Sequence, residues 1–409
     1  LMSDALRVAI RKFGPFESAI AKQYADFQAT TGCSLRLEPQ ALDLNPLFET
    51  LFTRGGLKDG TGDIAFIVTD WIAEAVAEGA LLDLGPRLRA QPVPDYPTGW
   101  APSLTRFQSF GDAVYGLPYH DGPECLVYRS DLFADPAEQI AFATQHGRPL
   151  AVPRTWDEFA TVARFFTRPE TGQWGTIFAG YPDGHNTVYD FCLQLWSRDG
   201  ELTDAAGVPT LDTPAAVAAL DFYRRLVNDR TATPPGQEEV DSVKSGERFA
   251  AGEIAMMVNW FGFAAVCEQP GTPVQGKVDV APVPAGPGGR AVSLNVYWLL
   301  AVGAGSRHQD EAYAFIRHAC GPAMDKLLTL EGGIGCRRST WTDADVNAAI
   351  PFMRRLDELH APARELPRSQ AWPQLVRIID AAVQKAITGD ESTGVILREA
   401  QAQTTGIRL

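Results

Sequence analysis

From Ala5 to Glu78, short apolar runs alternate with amphipathic stretches of helical period, and this alternation constrains the fold most strongly. Ala5–Ile10 reads as a strand, Phe16–Thr30 as an amphipathic helix, Leu35–Glu38 as a strand and Pro46–Gly55 as a helix. Asp63–Val68 is an almost continuous apolar strand, and Trp71–Glu78 is a helix stopped by Gly79. Strand–helix–strand order with short connections predicts parallel strands covered by helices, an α/β lobe. A second series follows the extended segments Ala113–Pro118 and Cys125–Tyr128. Thr155 caps a helix that ends near Thr167, with Glu158 completing a capping box. Then come a strand at Thr176–Phe178, a helix at Tyr189–Arg198, a long helix at Pro214–Asn228 capped by Thr213, and strands at Ile254–Val258, Val278–Val283 and Leu294–Val302. Helices Gln309–Cys320, Ala323–Leu330, Val346–His360, Trp372–Thr388 and Ser392–Thr405 complete the pattern.

A chain of 409 residues is too long for one ordinary core, so two lobes are expected. With 50 acidic against 36 basic residues the net charge is -14, which argues against nucleic acid as a partner. No apolar run reaches the roughly 18 residues that a membrane span needs. The six cysteines (Cys33, Cys125, Cys192, Cys267, Cys320, Cys336) show no CxxC and no metal-like spacing with histidine. They read mostly as buried small apolar side chains, with Cys320–Cys336 the first pair to test for a disulfide. Walker A, GxSxG, HExxH and GxGxxG in a strand–helix context are absent, so no cofactor and no metal is expected.

Several segments, in order, resemble one family. GDIAFIVTDWIAEAVAEGALLDL (62–84) is similar to its second strand and helix, and DAVYGLPYHDGPECLVYRSDLF (112–133) to its crossing segment. VPRTWDEFATVARFF (152–166) is similar to a P-(K/R)-TW-(D/E)-E helix, and GERFAAGEIAMMVNW (246–260) to F-x-x-G-(K/E)-x-AM. The stretch 281–320 resembles a P-x-P loop, an inter-lobe strand and a following helix, and ITGDESTGVILREAQAQ (387–403) a closing helix. The family is that of the extracellular solute-binding proteins, maltose-binding-protein-like components of ABC importers of sugars. Arg129, where the family usually has Asn, and the number of cysteines depart from its pattern.

The resemblance implies an α/β, two-lobe periplasmic-binding-protein type II fold, each lobe a mostly parallel sheet flanked by helices. Residues 1–121 with 298–322 would form lobe one, 122–297 with 323–409 lobe two, with a ligand cleft between them. It also implies a monomeric, non-enzymatic receptor that delivers a sugar or polyol to the transmembrane subunits of an ABC permease. Such a receptor would be periplasmic or lipid-anchored outside the cell, its signal peptide removed. Open α/β sheets place ligands at strand carboxyl ends, which selects the candidate residues.

Asp70 follows the strand 63–68 and reads either as an acceptor for two hydroxyls or as a helix cap; Trp71 reads as a platform or as packing. Tyr119, His120 and Asp121 interrupt an extended segment, with Glu124 a weaker candidate. Tyr181, Asp183, His185 and Asn186 lie in the turn AGYPDGHN. Trp260 ends an apolar strand and offers a face for the C–H side of a sugar ring, with Asn259 and Phe261 beside it. On the strand 294–302, Asn295 and Tyr297 are expected to point one way and Trp298 the other. Gly333 and Arg337 lie in the loop after helix 323–330, Arg337 a possible donor to hydroxyls. The alternatives are a receptor for a cationic, anionic or iron-containing solute, or a carbohydrate-active enzyme using a carboxylate pair such as Asp70 and Asp121.

Overall fold

The computed structural model describes residues 4–409, which divide into two compact units. Of the described residues the first comprises 4–122, Val296–Arg354 and Arg368–Gln370. Its sheet has five strands in the order Arg36–Leu42, Ala5–Arg11, Ile64–Val68, Trp298–Val302, Leu117–His120. The first three run parallel, as the βαβ order requires, and Ile64–Val68 is buried throughout, which is why it reads as an unbroken apolar run. Trp298–Val302 runs antiparallel to both neighbours, in a register that sets Trp298 opposite Val68. The helix Gly14–Thr31 covers the sheet with Phe16, Ile20, Tyr24 and Phe27, and ends at Gly32 in the left-handed region (φ 70°). Tyr24 and Phe27 meet Phe315 of the helix Gln309–Ala319, with ring centroids 5.1 and 5.5 Å apart.

The expectation that 323–354 belongs with the second lobe is corrected. The helix Pro322–Leu330 buries Met324 and Leu328 and packs on Gly14–Thr31, where Gln23 Nε2 donates to the Met324 carbonyl (2.9 Å). Glu331 accepts from Ser18 (2.6 Å) and Lys22.

The second unit comprises Pro123–Asn295, Arg355–Pro367 and Ala371–Leu409. Glu124–Arg129 is the centre of a three-stranded sheet and is antiparallel to both Met256–Trp260 and Val278–Ala281. The mostly parallel sheet expected here is therefore replaced by two antiparallel ladders. The helices Pro214–Asn228 and Trp372–Thr388 have the expected bounds; Thr213 Oγ1 accepts from the Ala216 N–H (3.2 Å), with Pro214 at the first position. Both pack on the helix Asn186–Trp196, whose eleven residues are all buried.

One expected strand is absent and another is split. Residues 176–178 are irregular, although Thr176 N–H bonds the Ala232 carbonyl (3.0 Å). The run 294–302 is broken: Ser293–Leu294 pairs with Ala363–Arg364 in the second unit, and Trp298–Val302 lies in the first. Asn295 and Tyr297 thus fall in different units, and the shared strand face expected for them does not exist. All six cysteines are free, Cys320 and Cys336 included; burial pushes both of these thiols up. Among the described residues no helix is long and apolar enough to cross a membrane.

Candidate ligand-binding site

In the second unit the antiparallel register decides which side chains share a face. Glu124 stands directly opposite Trp260, and Cys125 opposite Asn259. Facing residues of an antiparallel pair project to the same side, about 5 Å apart, and successive residues alternate. Glu124 and Trp260 therefore share one face, and Asn259 is on the other. There its Nδ2 donates to the Ser242 carbonyl (3.2 Å), and its Oδ1 accepts from the Trp260 N–H (2.8 Å). Asn259, a candidate from sequence, is a satisfied strut.

Trp260 meets Tyr189 (centroids 5.7 Å, nearly perpendicular) and His185 (6.1 Å), which contact each other at 4.5 Å. His185 and Tyr189 flank the first turn of the helix Asn186–Trp196, which also carries Asn186 and, four residues on, Asp190 on the same side. From a third direction Ser293 Oγ donates to the Glu124 carbonyl, and Asn295 follows two residues later.

Glu124 is fully buried, and neither carboxyl oxygen has a protein hydrogen-bond partner. The same holds for Asn186 Oδ1 and for both amide atoms of Asn295, residues only 4% and 5% exposed. Each unpaired buried polar group costs about 1–3 kcal/mol, and native proteins carry few. Elsewhere in this unit the unpaired atoms are mainly indole and imidazole N–H groups, such as those of Trp156, Trp196 and His146. Here unpaired carboxyl and amide atoms lie beside three aromatic rings.

Asp190 differs from Glu124 in having a donor: Tyr223 Oη gives it a hydrogen bond at 2.8 Å. Burial pushes the Asp190 carboxyl up to about 7 despite that bond. Burial, and then the nearby Asp190, hold the Glu124 carboxyl well above the usual range. Neither forms an ion pair with a cation among the described residues. The arrangement offers donors and acceptors of mixed kind against flat apolar walls.

The first unit presents a different surface. Asp70 lies in a turn of 3-10 helix, Thr69–Trp71, at the carboxyl end of Ile64–Val68, and the Thr69 N–H bonds the Tyr297 carbonyl (3.1 Å). Trp71 stands edge-on to Trp298 (5.7 Å) and to Phe48 and Phe52 (5.3 and 5.8 Å), which stack on each other at 4.6 Å. Phe48, Phe52 and Trp298 remain partly exposed. The two phenylalanines were not selected from sequence, although their four-residue spacing on an expected helix was the available signal.

Other candidates are occupied structurally. Tyr119 Oη donates to Gln23 Oε1 and Tyr297 Oη to Gln108 Oε1, both at 2.7 Å and both from buried rings. The Ile334 N–H donates to His120 Nδ1 (2.9 Å), placing the neutral ring's proton on Nε2, and burial pushes this imidazole down to about 4. Asp121 is fully buried, and its N–H bonds the Ile334 carbonyl (2.9 Å). Arg337 lies over Trp100 (4.3 Å) and donates to the carbonyls of Cys320 (3.1 Å) and Pro94 (2.9 Å). Gly333 is a packing position, since a Cβ there would meet Leu328 Cδ1 at 2.4 Å. Tyr181 is 41% exposed.

Among the described residues no group of three or more His, Cys, Asp or Glu is placed to hold a metal ion.

The sequence model of the bacterial extracellular solute-binding proteins matches residues 13–326. A probable ABC transporter-binding protein of Deinococcus radiodurans is 29% identical over 75% of this chain and 72% of its own. A mannitol-binding protein of Pseudomonas aeruginosa is 27% identical over 74% of this chain and 71% of its own. An ABC transporter solute-binding protein of Agrobacterium radiobacter, solved in complex with ribitol, superposes with a TM-score of 0.85 over 98% of both chains at 25% identity. The fold is that of type II periplasmic binding proteins, and the chain belongs to the bacterial extracellular solute-binding protein family.

Proposed function

We propose that the protein is the solute receptor of an ABC importer and that its solute is an uncharged polyol or sugar, met in the second unit by Glu124, Asn186, Asn295 and the Trp260 face. The observation that carries this reading is the group of unpaired, buried carboxyl and amide atoms beside aromatic rings. A hydroxyl both donates and accepts, so it complements such a mixed set, while the C–H faces of the same solute cover the rings. Relatives named for mannitol and solved with ribitol support the class. Asp70, Trp71 and Trp298 are the proposed contacts of the first unit. Asp121, His120 and Tyr119 act through position, and Arg337, Asn259, Tyr297 and Gly333 through packing. Delivery to permease subunits, a periplasmic or lipid-anchored location, a monomeric state, no nucleic-acid partner and no turnover belong to the same proposal.

The test is calorimetry over ribitol, D-mannitol, common mono- and disaccharides, an amino acid and a polyamine. Micromolar binding, about -8 kcal/mol, is expected for a polyol or sugar. Binding of the amino acid or polyamine alone, or hydrolysis of a disaccharide, overturns the reading.

A further inference from the structure

We infer that Glu124 meets the solute as a protonated, uncharged carboxyl donating a hydrogen bond to a solute oxygen, so that this site rejects anionic counterparts of the same polyol. The inference rests on the receptor reading above and deepens it.

The geometry leaves Glu124 no other means of compensating a charge. It starts the central strand, fully buried, with Trp260 directly opposite and no donor on either oxygen. Its neighbour on the helix Asn186–Trp196 is another carboxylate, Asp190. Of the other titratable groups, Tyr223, Cys125 and Cys192 interact electrostatically with the pair and His185 and Tyr189 lie against Trp260, while on the packed helices Asp380 accepts from Thr187 (2.6 Å), Arg224 donates to the Ala386 carbonyl (2.7 Å) and Lys385 pairs with Glu399 (3.1 Å). The nearby cations are committed elsewhere. Arg364 pairs with Glu201 (2.7 Å) over Trp196, and Arg355 pairs with Glu358 (3.2 Å) and Asp279 (3.6 Å). Two adjacent buried carboxyls without a cation do not both ionise. Tyr223 stabilises an anion on Asp190 and nothing does so on Glu124, so the proton resides on Glu124. Burial and Asp190 act in the same direction on that carboxyl.

A protonated Glu124 is a donor; the Asn295 amide supplies one donor and one acceptor side, and Asn186 Oδ1 an acceptor. Hydroxyls satisfy all of these without bringing charge. A solute carboxylate or phosphate would instead place a second negative charge beside Asp190, in a site with no cation.

Glu124→Gln keeps the shape and a donor and cannot ionise. We expect Glu124→Ala to weaken D-mannitol or ribitol binding by at least about tenfold, Glu124→Gln to restore most of that loss, and wild type to prefer D-mannitol over mannonate by at least about a hundredfold. A loss beyond tenfold in Glu124→Gln with an unchanged melting temperature would mean that an anionic acceptor is needed, and overturns the inference. A ligand-free readout separates it from the receptor reading. At pH 8.5, above the range in which Asp190 releases its proton, the infrared carbonyl stretch of a protonated carboxyl should be present in wild type and lose intensity in Glu124→Gln. Should that variant fail to fold, wild type labelled with 13C-glutamate should show the same band displaced by the isotope. Absence of the band overturns the inference whether or not a polyol binds. Its presence without binding of any polyol or sugar overturns the receptor reading and leaves the protonation standing.

Discussion

In the first unit Asp325 accepts from the N–H groups of Cys336 (3.0 Å) and Arg337 (3.2 Å) and from the Thr340 hydroxyl (2.5 Å). In the second unit the carboxyl of Glu124, equally buried, receives no protein hydrogen bond on either oxygen. Both carboxyls left water on folding, and only one was compensated by its own chain. Burial alone therefore does not separate the two carboxyls; burial without satisfaction is what the proposed solute contacts share. The same contrast separates His120, anchored by Ile334, from Asn295, whose amide has no partner.

The sharpest way to break this comparison is to remove the satisfied carboxyl. Asp325→Ala strips three donors of their acceptor, at a cost on the order of 3 kcal/mol or more, since each buried group left unpaired costs about 1–3 kcal/mol. Thermal unfolding should show a melting temperature lower by several degrees, with solute affinity in calorimetry unchanged at temperatures where the variant is folded. The reverse pattern would remove the distinction between the two kinds of site. Next in size, Trp260→Ala should weaken polyol binding by at least tenfold, from the 1.5–3 kcal/mol that a large apolar side chain contributes on burial. Its unfolding should stay cooperative; unchanged affinity would remove Trp260 from the site.

The smallest expected effects lie in pH dependence, and the two units should respond with opposite sign. Neutral His120, with its pKa near 4 in place of 6.5, takes up its proton later than the unfolded chain does. Its contribution to stability is lost as pH falls from about 6.5 to 4. Asp190, raised to about 7, keeps its proton while the unfolded chain has released it, so stability is lost as pH rises from about 4 to 7. Each window is worth on the order of 1 kcal/mol or more. Denaturant midpoints against pH should show the acid-side loss flattened in His120→Asn and the neutral-side loss flattened in Asp190→Asn. Identical profiles in the two variants would contradict the contrast.

Much of the helical framework was legible because its signals are local. Pro214–Asn228 carries its Thr213 cap in an adjacent residue and Trp372–Thr388 its apolar stripe, and the structure keeps the bounds of both. The strand 294–302 was misread because an apolar run does not reveal that its two ends pair with different sheets. Asp190 was not selected, although a lone carboxylate in the mostly apolar stretch VYDFCLQLW was a signal, since acidic residues are almost never fully buried unless paired. Arg337 was selected because a cation in a glycine-rich loop looks accessible, but folding lays it on Trp100.

The sequence by itself determined the alternating α/β architecture and the family, because hydrophobic period, caps and ordered motifs act over a few residues. It also put forward Trp260, the proposed platform, since a strand end is a local event. Which buried polar groups are left unsatisfied was decided only by tertiary structure. Satisfaction depends on partners far along the chain: Tyr223 for Asp190, the Pro94 carbonyl for the Arg337 guanidinium, and no protein group for the side chains of Glu124 and Asn295.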